Sequence, residues 1–145
     1  METQTQTTQI QTQTQSQKRN KIIYWIFTLW LALGMVSTAA VQLLKNKDEV
    51  ANFTSLGFPV YLMTIIGVWK ILGVIAILIP KQPLLKEWAY AGFFFVMSGA
   101  ILSHLASDHN FSKIFASLLL LVLTIISWYF RPDNRRFSLT NRNRL

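Results

Sequence analysis

Lys70 stands in the stretch GVWKILG, residues 67–73, a cation inside a run otherwise suited to lipid. The run 58–79 that contains it holds no acidic residue. Ionisable side chains within a hydrocarbon layer are expensive and mark ligand, ion or proton sites by default. Four outcomes are open for this amine. It is carried neutral; it snorkels toward the headgroups and reaches Glu87 through water; it faces a cavity and meets an anionic or carbonyl-bearing ligand; or hydroxyls and backbone carbonyls satisfy it as part of packing alone. The remaining candidates are Glu87 in KEWAYAG and His104 in HLASDH. His104 and Asp108 have the i, i+4 spacing of metal ligands on a helix, but Ser107, Asp108 and Asn110 read as a turn, so no metal is expected. Both histidines fall in one segment, which disfavours a bis-histidine haem.

The chain must position these residues with an unusual composition. Of its 145 residues, 52% are hydrophobic and 14% charged, against about 25% charged in ordinary soluble domains. There is no cysteine, which excludes disulfides, thiolate metal sites and thiolate-held iron–sulfur clusters. Residues 1–20 form a Gln/Thr-rich stretch with too little apolar surface to offset the entropy of ordering, and a disordered tail is expected there. Four apolar runs follow, at about 22–44, 58–79, 88–106 and 112–130, and 132–145 is a basic tail. Each run reaches the ~20 residues that cross a ~30 Å hydrocarbon layer as a helix. Lipid offers no partner to a free backbone N–H, so the spans must be helical. Short connections make neighbours antiparallel. The fold expected is an all-α polytopic membrane protein, an antiparallel bundle of four transmembrane helices over residues 21–131. A cleaved signal peptide is the rival reading of the first run, with Thr38-Ala39-Ala40 as the cleavage site, but the run is long for a signal.

Orientation follows from lysine and arginine near the membrane. With both termini on one side, that side carries ten of the 14, among them Lys18, Arg19, Lys81, Lys86, Arg131 and Arg135; the other carries Lys45, Lys47 and Lys113, and Lys70 lies between. Both termini are therefore expected in the cytoplasm, in a cell (inner) membrane. Tyr24, Trp25, Trp88, Tyr90, Trp128 and Tyr129 fall at the same ends, where amphipathic rings anchor. The net charge of +8 is then a consequence of topology, and nucleic acid is not expected as a partner.

The stretches LGFPVYL (56–62), GVWKILGVIAILIP (67–80), LLKEWAYAGFFF (84–95) and GAILSH (99–104) together resemble the DoxX-like family of small four-span membrane proteins. The first span departs from that pattern, with Ser37, Thr38 and Gln42 where a glycine and a lysine are expected. The resemblance implies a membrane subunit, in some members linked to quinone-coupled oxidoreductase systems, and it gives His104 and Glu87 a recurring place in the family's motifs.

The second span tolerates its lysine. A central Lys costs about 2.5–3.5 kcal/mol on insertion scales, while each Leu, Ile, Val or Phe returns about 0.3–0.6 kcal/mol, and the span holds 13 of these. Counting ~1.5 Å per residue places Lys70 near the bilayer midplane, level with Gly34, Ser98 and Gly99, with Thr124 slightly deeper. Glu87 and His104 lie roughly 12 Å away in opposite directions. Gly67, Lys70 and Gly73 share one helical stripe, as do Gly92, Gly99 and Ser103, and small residues let helices approach closely. Trp30 is deep for a tryptophan and is the expected pocket wall.

The function expected is a non-catalytic subunit or small-ligand-binding module, with quinone the candidate ligand and no covalently bound cofactor. Lys70, Trp30, Ser98, Thr124, Glu87 and His104 are its candidate ligand-binding residues. The lipid bilayer, a membrane protein partner or a second copy are its expected partners. A small-solute transporter and a membrane assembly factor are the alternatives.

Overall fold

The structure, a computed structural model, describes residues 2–107, 111–132 and 135. These residues form five helices and no strand: α1 (Glu2–Leu43), α2 (Lys47–Ser55), α3 (Val60–Leu78), α4 (Pro83–Ser107) and α5 (Phe111–Tyr129). All but α2 are long and apolar enough to cross a membrane. The protein is an all-α polytopic membrane bundle. Helix α1 packs on α3 and α5, and α4 packs on the same two, so the four long helices form a closed ring.

Both surfaces of this ring are apolar. Leu31, Met35, Ile77, Phe93, Met97, Leu120 and Leu123 fill its interior, while Leu33, Trp69, Phe95 and Phe115 are each about two-thirds exposed on the outside. A helix apolar all round suits a hydrocarbon solvent. Lipid also removes the hydrophobic drive between helices, so close packing must hold them together. Glycine supplies the approach. A Cβ built on Gly73 would stand 2.6 Å from the Phe93 ring, and one on Gly67 would meet the Leu43 side chain at 3.0 Å. Those two glycines are packing devices. Gly92 and Gly99 are not: a Cβ at either meets nothing within 4 Å.

Helix ends follow proline chemistry. Ile79 precedes Pro80 and is extended, with φ −58° and ψ 133°, because the ring that follows disfavours the helical region. Helix α4 opens on Pro83, where a missing N–H costs nothing, and so starts one turn earlier than the apolar run at 88. Residues 45–57 read as a loop, yet α2 forms there. Asn46 caps it by accepting from the Asp48 N–H at 3.1 Å, Asp48 and Glu49 sit in its first turn, and Phe53 is buried beneath it. Residues 2–20, expected to be irregular from composition, continue α1 without a break. Thr8, Thr12 and Thr14 each donate to the carbonyl four residues back at 2.9 Å, and residues 4–15 are exposed throughout.

At the end that carries the start of the first span, α1 and α5 are tied by a buried hydroxyl chain. Ser127 lies 2.6 Å from Thr28 and 2.7 Å from the Tyr90 hydroxyl. Tyr24 and Tyr90 are inside the bundle rather than anchoring at its surface, whereas Trp88 and Tyr129 face outward. Arg131 stands 5.6 Å from the Tyr90 ring centre and is paired with Glu87. Arg135 stacks on Trp25 at 4.8 Å and on Tyr24 at 5.7 Å. Lys86 is fully buried and donates to the Ala76 carbonyl at 3.1 Å, to Ile77 at 2.8 Å and to Ile79. It closes the end of α3, whose last carbonyls have no partner within their own helix. Lys86 and Arg131, two of the ten basic residues on the expected cytoplasmic side, are both buried in the protein. Lys86→Met should lower the stability of the detergent-solubilised protein by about 1–3 kcal/mol, because buried acceptors lose their donor. Thermal unfolding measures this; an unchanged midpoint would rule out the capping role.

Candidate functional site

Lys70 lies midway along α3 and is 5% exposed. Its ammonium turns toward α1, donating to Gln42 Oε1 at 3.1 Å and Thr38 Oγ1 at 3.3 Å. Thr38 and Gln42 are four residues apart and so share one face of α1. Gly67, one turn before Lys70, makes the arrangement reachable: its missing side chain lets α3 lie against Ala39 and Leu43 of α1. Both acceptors are neutral. Among the described residues no carboxylate lies within ion-pairing distance of Lys70. An ammonium has three donors, and two are engaged here.

Beside this group lies a cavity of about 540 Å³, within the ~300–1,000 Å³ typical of small-molecule sites. Apolar side chains such as Leu62, Ile66, Phe95 and Met97 make most of its wall. Polar groups enter at Lys70, Gln42, Thr38 and His104, the last 4% exposed. Gly99 and Ser103 of α4 leave room on the far side. Helix α2 covers one end through Glu49, Asn52, Phe53 and Leu56. A salt bridge of 2.9 Å from Lys113 to Glu49 fastens that cover to the start of α5. Glu49 and Lys113 thus stand in the cavity wall as an ion pair, while the Lys70 ammonium in the same wall is bonded to neutral oxygens.

A second cavity, about 310 Å³, lies between α3 and α4 and also touches Lys70. A third, lined by Glu87, Tyr90, Thr124 and Trp128 among others, occupies the opposite part of the bundle.

The six residues singled out from sequence are therefore dispersed. Lys70 and His104 share the large cavity. Trp30 is 55% exposed on the outer surface and walls neither cavity beside Lys70. Ser98 donates back to the Phe95 carbonyl at 3.2 Å and is likewise absent from both walls. Thr124 donates to the Leu120 carbonyl at 2.7 Å and lines the third cavity with Glu87. Glu87 accepts from Trp128 Nε1 at 2.9 Å and from Arg131, so it neither serves Lys70 nor merely complements a helix dipole. The lysine reaches away from Glu87, toward the α2 end. Asp108 and His109 lie outside the described residues.

A profile of the DoxX-like family matches residues 26–127, which takes in all four spans, Lys70 and His104.

The chain belongs to the DoxX-like family.

Comparison with curated proteins and with solved structures returned no match. The family match reaches all four long helices and includes Lys70. Within this DoxX-like protein, Gln42 and Thr38 were missed as partners of Lys70. The signal was present, since polar residues at i, i+4 in a span mark an inward face, but pairing them with α3 needed the helix order. Gln42→Leu should cost about 1.5–3 kcal/mol, the worth of a hydrogen bond to a charged group, while Gln42→Glu should leave the unfolding midpoint near that of the wild type. Equal loss in both variants would show that residue 42 matters for shape alone.

Proposed function

We propose that this DoxX-like protein is a non-catalytic membrane module that holds a small molecule beside Lys70. The head of that ligand offers a carbonyl or anionic oxygen to the ammonium. One observation carries the reading: a buried cation, bonded only to neutral oxygens, opens onto a cavity of ligand size. A hydrogen bond from a charged donor is worth about twice a neutral one, and a low-dielectric wall strengthens it further. The mostly apolar lining favours a lipid-soluble body behind that head.

A quinone fits this description. Lys70 would donate to one carbonyl, with His104 in the same wall. When bound, the quinone supplies the electron chemistry. The chain's own residues bind and orient the head and keep it from lipid. Such a module works as a subunit of a membrane oxidoreductase system, beside a partner protein or a second copy. Its place is a cell membrane with both termini cytoplasmic, in keeping with the ten-to-three balance of basic residues. Helix α2 and the Glu49–Lys113 pair then lie on the outer side.

Mass spectrometry of small molecules retained by the gently purified protein tests the reading. Wild type should carry a carbonyl or anionic amphiphile. Lys70→Met should fold and lose it, and Gln42→Glu should weaken it at least tenfold by giving the ammonium a carboxylate of its own. Equal retention in Lys70→Met would overturn the proposal. Reporter fusions at each terminus should both report the cytoplasm; opposite sides would overturn the orientation.

A further inference from the structure

Lys70 touches two cavities rather than one. The larger lies inside the ring, toward α1, α2 and α5. The smaller, about 310 Å³, is a groove between α3 and α4, bounded by Trp69, Leu72, Trp88, Gly92 and Phe93. Its two tryptophans are 67% and 69% exposed, so it opens on the bundle's outer face, where lipid lies. Ile66, Lys70 and Val96 belong to both linings. The ammonium points to the inner cavity, and Ile66 and Val96 are the apolar side chains that stand between the two spaces.

The groove is left open by residue choice. Gly73 lets the Phe93 ring lie hard against α3 and floors the groove, while Gly92 faces empty space in which a side chain would fit. In hydrocarbon, helices associate through close van der Waals packing, and an unfilled seam between two of them forfeits those contacts. The groove is continuous with the one buried cation that faces a ligand-sized cavity among the described residues.

We propose that the ligand is a single-chain amphiphile. Its head lies at Lys70 in the inner cavity, and its hydrocarbon chain passes between Ile66 and Val96 into the α3/α4 groove. It therefore arrives laterally from the bilayer and not through the end that α2 covers. This rests on the function proposed above and adds to that ligand a single alkyl or prenyl chain.

A matched pair of probes separates head from tail: a benzoquinone with a decyl chain and the same ring without it. Binding to the full chain is measured in one detergent for wild type, Gly92→Leu, Leu72→Trp and Lys70→Met. The two groove variants fill the seam from opposite helices, so one reports if the other fails to fold. In wild type the decyl compound should bind at least tenfold tighter than the bare ring. Filling the groove should reduce that advantage to about twofold or less and leave the bare ring's affinity unchanged. Lys70→Met should weaken both probes alike. An undiminished chain advantage in both groove variants overturns the inference, since the tail then rests in detergent or bulk lipid, and leaves the Lys70 site standing. Failure of both probes to bind wild type overturns both readings.

Discussion

A cation surrounded by hydrocarbon must be given oxygen atoms, and that requirement organises the middle of this bundle. The Lys70 ammonium finds them on α1, at Thr38 and Gln42. To bring the two helices close enough, α3 carries Gly67 opposite Ala39 and Leu43. The position of α1 against α3 is thereby tied to the solvation of one charge. Neutral acceptors solvate that charge without neutralising it, and apolar side chains make most of the wall around it. The cavity and the groove derive their chemistry from this residue.

The two ends of the molecule solve different problems. At the end where α3 turns into α4, helix carbonyls would face the bilayer boundary unpaired, and Lys86 reaches back to take three of them. Around it, Glu87, Arg131 and Trp128 join α4 to the end of α5, while the Thr28, Ser127 and Tyr90 hydroxyls join α1, α5 and α4. This end is cross-linked by side-chain hydrogen bonds. The opposite end is built more lightly. Helix α2 is nine residues long, packs against α1 and α3, and is linked to α5 through the Glu49–Lys113 pair. The Lys113 side chain of that pair is 41% exposed, and exposure to water weakens an ion pair. The molecule thus holds its helices firmly at one end and covers its cavity with a small helix at the other.

Much of this was legible before any coordinates. Run length and apolar content predict the four spans, Pro80 and Pro83 mark the turn between α3 and α4, and a lysine without an acidic partner in its own run marks residue 70 as a candidate. Other features were hidden by the kind of information a chain carries. Composition alone assigns Gln and Thr near the N-terminus to disorder, but these residues also prolong a helix that has already nucleated. Counting lysines and arginines treats each as a surface charge, so it cannot tell Lys86 and Arg131, which are buried, from those that meet headgroups. Depth along the span singles out Trp30, and depth says nothing about which side of a helix faces inward.

Hydrophobic length and the cost of an unsatisfied N–H in lipid are properties of each segment by itself, so four helices and a costly amine within one of them follow from residue order alone. Which neighbour answers that amine depends on how the helices are arranged around the ring and how each is rotated about its axis. Both are decided by packing between segments distant in sequence. The tertiary structure placed Gln42 and Thr38 at the ammonium, turned Trp30 outward, drew Glu87 to Arg131, and set Lys70 at the boundary of two spaces, because the fit of small residues against large ones is a property of pairs of helices.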